Sequence, residues 1–331
     1  MRKLVTIQEI AEILPIEKAD RIETVRVLGW YVVVKKGEFK VGDKVVYAEI
    51  DSKFPEKEEF EFLENSNYRV KTVRLRGQVS QGLCLPLDIL PEGCYEVGDE
   101  VTELLGVTKY EAPIPAELRA KTKGRFPSFL QETEETRVQL LQDRLTKFKG
   151  VRTVITEKLD GFSSTFYFNE GEFGVCSRTL DLLEDDKNTY WQMARKYDIE
   201  SKLRKLGRNI ALQGETIGAG IKKNKYGFED SEKDLRLFNI YDIDKAEYVG
   251  FLEFTELARQ LEIPTVPVID DNFVLIDNID KLVELSRGRS VLNPKVHREG
   301  VVIKGFEEVS DGGERLSLKA ISPDFLIKYD E

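Results

Sequence analysis

The sequence predicts an α+β protein in which a small N-terminal β-barrel precedes a larger domain of packed antiparallel sheets with helices. Three observations predict it. Residues 24–101 read as short strands punctuated by glycine corners, with almost no helical periodicity. From about residue 128 onward, β-branched strand runs alternate with helical stretches. Between the two lie the proline-broken segment Tyr110–Pro115 and the polar segment Lys121–Pro127. The expected domains are therefore 1–112, a linker at 113–127, and 128–331.

In the barrel, Lys18–Glu23 leads into a run from Thr24 to Val34, followed by Gly37–Tyr47 with its Val41-Gly42-Asp43 corner. Val70–Leu75 and the stretch from Arg76 to Leu85 continue the pattern. Val97-Gly98-Asp99 repeats the first corner, which fits two similar hairpin corners better than a solenoid repeat. In the second half, Ser128 or Thr133 is a candidate cap for a helix over roughly Glu134–Lys147. Val151–Thr156 reads as a strand, as do the runs ending at Glu215, Ile243, Lys304 and Lys319. Phe251–Leu261 and Ile279–Arg287 read as helices.

The chain has 331 residues, 41% of them hydrophobic, enough for a substantial core. No run approaches the ~20 apolar residues of a membrane span, and the first residues lack the apolar core of a signal peptide. Cys84, Cys94 and Cys176 are too scattered for a disulfide frame or zinc site, so a reducing cytoplasm is expected. His297 is the only histidine, which excludes histidine metal clusters and Ser-His-Asp triads. The net charge of −10 argues against a protein that simply coats nucleic acid. Local basic groups remain, notably Arg69–Arg76 and Lys222–Lys225, and either could follow a phosphate backbone.

The densest chemistry is Glu157-Lys158-Leu159-Asp160-Gly161 at a strand end. A lysine there can lose its proton and attack phosphorus as an amine, the aspartate can hold a cation, and the glycine permits a tight turn against a ligand. Alone this motif is weak. Downstream, in order, come Ser177-Arg178, Leu212–Glu215, Leu235–Ile243, Glu299–Lys304 and Leu316–Lys319. Each is an ordinary charged strand end. Together they place lysines, carboxylates and an aromatic at strand ends, a set that suits a nucleotide.

In that order the residues resemble the covalent nucleotidyltransferases, the superfamily of polynucleotide ligases and mRNA capping enzymes. The Phe238–Asp242 and Glu299–Lys304 forms are similar to ATP-dependent RNA ligases. The first half resembles an OB fold, including the Lys18–Glu23 start found in tRNA-binding OB domains. An OB domain before a ligase core resembles the Naegleria-type RNA ligases. Only twelve residues follow Lys319, so no second OB domain is expected behind it.

The resemblance implies ATP and Mg²⁺ (or Mn²⁺) as cofactors, and RNA with 5′-phosphate and 3′-OH ends, especially duplex nicks, as substrate for a cytoplasmic monomer. It implies Lys158 as nucleophile, with Lys304 and Lys319 supplying positive charge at the α-phosphate. Asp160 and Glu299 become the candidates for holding the metal through its waters. Glu157 is placed beside the nucleotide and Glu215 on the ribose. Phe238 and Val302 are placed on the two faces of adenine, Arg178 near the sugar and nucleic acid end, and Arg137 on the leaving pyrophosphate. One departure stands out: the family's final Lys-x-Lys has Ser317 in its first position here, so Lys319 acts alone or Lys328 or another residue compensates. Two other readings are a capping-type guanylyltransferase and a non-catalytic OB-fold RNA-binding protein. The first lacks its usual C-terminal OB module, and the second is opposed by the intact Lys158, Asp160, Glu299, Lys304 and Lys319.

Overall fold

The structure is a computed structural model and describes residues 3–110, 121–311 and 314–329. The proline break therefore falls, from residue 111, outside the described residues. By its contacts the chain forms two units: Met1–Pro113 together with Pro323–Glu331, and Ile114–Ser322. Residues 323–331, expected in the second domain, group with the first unit.

In the first unit, strand Val5–Glu9 pairs antiparallel with Lys44–Ala48, which pairs in turn with Leu83–Leu85. Glu12–Pro15, Ile22–Val27 and Trp30–Lys35 form an adjoining meander. Ile7, Val25, Trp30, Val46 and Phe60 are fully buried between them. The two Val-Gly-Asp corners make the same bonds on strand Val5–Glu9 and the residue after it. Gly42 N–H donates to the Ile10 carbonyl and Ile10 N–H to that of Asp43, while Gly98 N–H donates to the Ile7 carbonyl and Ile7 N–H to that of Asp99. Each aspartate also accepts the amide three residues back, Lys40 N–H at 2.7 Å and Glu96 N–H at 2.8 Å. Both glycines lie at positive φ, 90° and 97°, which is why the corner needs them. Helix Pro323–Tyr329 packs on hairpin strand Thr72–Leu75, with Arg74 paired to Asp324 at 3.1 Å. Arg69, expected in a basic track, is instead buried and paired with Asp51 at 2.7 Å.

The second unit contains two sheets. The five-stranded sheet runs Thr136–Arg137, Ser317–Ile321, Gly300–Gly305, Arg152–Lys158, Val268–Val274. The seven-stranded sheet runs Thr122–Arg125, Leu180–Leu182, Glu172–Cys176, Phe162–Asn169, Ile210–Gly218, Lys233–Asp242, Glu247–Tyr248. Helices Thr189–Lys196, Ile199–Leu206 and Phe251–Gln260 cover the larger sheet through Trp191, Leu203 and Leu257. Helices Gln142–Lys147 and Ile279–Ser286 cover the smaller one through Leu145 and Leu282, against Ile155, Val301, Ile303 and Leu318. Side chains alternate along a strand. With those four on the core face, Thr156, Lys158, Val302, Lys304, Ser317 and Lys319 take the other face.

Two expectations change. The helix placed over Glu134–Lys147 is confined to Gln142–Lys147, after a 3₁₀ turn at Val138–Leu140. Thr136–Arg137 is extended because it gains parallel pairing with Leu318–Lys319, which outweighs a weak helical pattern containing β-branched Thr136 and Val138. Thr133 caps no helix; its hydroxyl meets that of Ser163 at 2.9 Å. The polar segment 121–127 supplies the edge strand Thr122–Arg125 of the larger sheet. Among the described residues, no helix is long and apolar enough to cross a membrane.

Candidate active site

The cleft between the two sheets of the second unit is lined by Glu157, Lys158, Asp160, Arg178, Glu215, Phe238, Glu299, Val302, Lys304 and Lys319, ten of the eleven residues singled out from the sequence. Arg137 is not among its lining residues. It is 9% exposed and is the register partner of Lys319, whose pKa it helps to lower.

Lys158 ends its strand opposite Gly300, where added side-chain bulk would strike the Ala320 carbonyl at 2.2 Å. Both Glu299 oxygens hold its Nζ, at 2.7 and 2.8 Å. Burial alone would lower the Lys158 pKa, but Glu299, Glu215 and Asp160 outweigh it and hold the ammonium above its ordinary value. Burial pushes Glu299 upward, opposed by Lys158. Burial also raises Glu215 to about 8, and its Oε1 accepts the Gly161 N–H at 2.9 Å.

The two other lysines sit on the same face, Lys319 opposite Val302 and Lys304 opposite Ser317. Burial lowers Lys319 to about 7, helped by Arg137 and Lys158, and lowers Lys304 to about 8. Ser317 does not extend the cationic row, and its hydroxyl lies 3.4 Å from Glu135 Oε1. Lys328 belongs to the other unit.

Glu157 is nominated for nucleotide contact, yet its side chain follows Ile155 onto the core side and is 1% exposed. Its Oε2 accepts the Val291 N–H at 2.8 Å, so its carboxylate secures a loop. Strand alternation from Lys158 already carried that signal. Phe238 is turned into the cleft by a bulge: Gln213 faces Asn239, Gly214 faces Leu237, and Phe238 is the extra residue between them. Arg178 is half exposed and pairs with Glu134 at 3.1 Å.

Sequence reasoning missed Glu135 and Lys225. Glu135 lines the cleft as the counter-charge of its lysines: burial would raise its carboxyl, but Lys304, Lys319 and Arg315 hold it below the ordinary value. It was hidden in an acidic run, though it sits two residues before Arg137. Lys225 was grouped with Lys222 as a phosphate contact. Its side chain is 9% exposed and pairs with Asp160 at 2.7 Å, while Lys222 lines the cleft. Tyr226 adds a bond from its hydroxyl, which accepts the Asp160 N–H at 2.7 Å.

The donor set fits a hard divalent cation. Asp160, Glu299 and Glu215 surround Lys158 with oxygen donors, and all three act on its charge. Among the described residues no group of three or more His, Cys, Asp or Glu side chains forms a metal cage.

Comparison with known proteins places the chain in a family. A family model described as RNA ligase matches residues 151–321, and one described as OB-fold domain matches residues 4–87. A lysine-to-alanine variant of the Naegleria gruberi RNA ligase, solved with ATP and Mn, is 40% identical, with 99% of each chain covered and a TM-score of 0.91. The same figures hold for a glutamate-to-alanine variant of that ligase with AMP and Mn. The Naegleria gruberi ligase with PPi is 40% identical over 100% of this chain and 99% of its own, at a TM-score of 0.91. No curated protein matches.

Proposed function

Because this chain belongs to the RNA ligase family, we propose that its cleft joins a 3′-OH RNA end to a 5′-phosphate end by three nucleotidyl transfers on one site. The protein is an ATP-dependent RNA ligase that works through adenylate intermediates. The observation that carries the site assignment is Lys158 at a strand end, held by Glu299 and sharing one sheet face and one cleft with Lys304 and Lys319.

In the first transfer the Lys158 amine attacks the α-phosphorus of ATP. An N–P bond forms, the bond to the β-phosphate oxygen breaks, and pyrophosphate leaves. In the second, the oxygen of an RNA 5′-phosphate displaces Lys158 from AMP. In the third, the 3′-OH attacks that activated phosphate, losing its proton as AMP departs. The first transfer requires an uncharged Lys158, whereas the carboxylates around it favour the ammonium. A divalent cation, held through its waters by Asp160 and Glu299, would cancel that hold by supplying competing positive charge. Lys304 and Lys319 bring cations from the same sheet face as Lys158 and stabilise charge on the α-phosphate in the transition state. Arg137 backs Lys319 and orients the departing pyrophosphate. Glu215 receives the ribose hydroxyls, Phe238 and Val302 enclose adenine, and Arg178 faces the sugar and the RNA end.

The substrate is a duplex nick whose 3′-OH strand is RNA, sealed by a monomer. The 2′-OH marks a ribose end and favours the A-form geometry that such sites read. Replacing the terminal ribonucleotides on the 3′-OH side by deoxyribonucleotides is expected to slow sealing strongly, and the same change on the 5′-phosphate side much less. Equal rates on all-RNA and all-DNA nicks would overturn this sugar selectivity.

A further inference from the structure

Lys304 reaches from the five-stranded sheet to the seven-stranded one. Its Nζ donates to the Phe238 carbonyl at 2.7 Å and to Asn239 Oδ1 at 2.6 Å. The first acceptor is exposed by the Phe238 bulge, which removes that residue from the ladder. The second is fixed by a chain of amides. Asn239, 5% exposed, donates its Nδ2 to Gln213 Oε1 at 3.3 Å. Gln213, fully buried, donates its Nε2 to the Gln131 carbonyl at 2.7 Å. A backbone carbonyl only accepts, so Gln213 must turn its nitrogen toward Gln131 and its oxygen toward Asn239. Asn239 must then spend its nitrogen on Gln213 and present its oxygen to Lys304. Turning either amide over would leave buried polar atoms facing like partners. An ammonium has three N–H bonds, and two are taken, which leaves one for a phosphate oxygen.

We infer that Asn239, locked by Gln213, is the positioning residue that holds Lys304 in the cleft and ties this phosphate-binding lysine to the aromatic wall at Phe238. The inference rests on the role proposed above for Lys304. Asn239 touches neither nucleotide nor RNA in this account, and no bond is made or broken at it. Its effect is to keep one ammonium N–H aimed where charge develops during transfer, so its loss acts on the rate of the chemical step more than on ATP binding.

The test is single-turnover formation of the covalent adenylate from labelled ATP by the full-length protein, with thermal melts alongside. Asn239→Leu keeps the size and removes the acceptor. It is expected to slow the step about tenfold to a hundredfold, the scale of one hydrogen bond to a charged group, while the ATP concentration for half-maximal rate moves little. Asn239→Asp retains an oxygen for Lys304 and is expected to recover part of the rate. In a Lys304→Met background, Asn239→Leu is expected to add almost nothing, because the residue it positions is gone. If Asn239→Leu does not fold, Asn239→Ser, too short to reach Lys304, gives the same comparison. Wild-type speed in Asn239→Leu, or the same slowing in both backgrounds, overturns the inference. A wild-type rate in Lys304→Met overturns the role of Lys304 itself, a separate result.

Discussion

Lys319→Met should stabilise this protein while disabling it. Burial is the main reason Lys319 sits at about 7 rather than 10.5, with Arg137 and Lys158 adding to it and Glu135 and Glu134 opposing. The charged form is therefore penalised in the folded state. A gap of roughly 3.5 pK units, at about 1.36 kcal/mol each, bounds the penalty at about 5 kcal/mol. Lys319 keeps partial contact with solvent and the cleft can take up water, so about 1–3 kcal/mol is the realistic gain. At roughly 2–4 °C per kcal/mol for a domain of this size, the variant should melt roughly 2–12 °C higher.

The sign with pH follows from linkage. Because the folded pKa lies below the unfolded one, the penalty is complete below about pH 7 and fades as pH climbs from about 7 toward 10.5. Differential scanning calorimetry of both proteins without ATP, at about pH 6, 7.5 and 9, should show the variant's advantage greatest at about pH 6 and shrinking at about pH 9. Covalent AMP labelling of the variant should fall at every pH. A variant that melts below the wild type at about pH 6, or one whose advantage grows with pH, would refute the reasoning.

Other substitutions probe the nucleophile's surroundings. Gly161→Ala would bring a methyl group within 2.3 Å of the Thr216 carbonyl and 2.8 Å of Ile217 Cγ2. The turn must shift, at about 1–3 kcal/mol of stability, and its N–H should lose Glu215, which melts and AMP labelling would register together. Asp160→Asn and Glu299→Gln should each raise the Mg²⁺ or Mn²⁺ concentration needed for AMP labelling; unchanged titrations in both would remove these carboxylates from the metal site.

Much of the site was legible because its chemistry is local in sequence. The lysine-aspartate-glycine turn, the Glu299–Lys304 strand and Lys319 all lie on strand ends whose alternation fixes which face they take. The corners at Gly42 and Gly98 were readable for a similar reason, since a positive φ is a local demand. What was not legible depends on pairing between distant segments. Thr136–Arg137 became a strand only because Leu318–Lys319 offered an open edge 182 residues away. The Phe238 bulge is a mismatch of register between two strands, and neither strand states it alone. Lys225 appears as one member of a surface-like lysine run, and only the approach of the 222–228 loop to Asp160 reveals it as a counter-ion. Glu157 is the opposite case, since its alternation with Lys158 was available and already placed its carboxylate on the core side, where it accepts the Val291 N–H, although the residue lines the cleft.

The most direct measurement of the central claim is covalent labelling of the wild type and of Lys158→Ala by radiolabelled ATP with a divalent cation, resolved on a denaturing gel and followed by peptide mass spectrometry. The account predicts one adenylate on the wild type, located at Lys158, and none on the variant, which should still seal RNA already carrying a 5′-adenylate. A covalent adenylate on the variant, or a wild-type adenylate mapped to any other lysine, would contradict it.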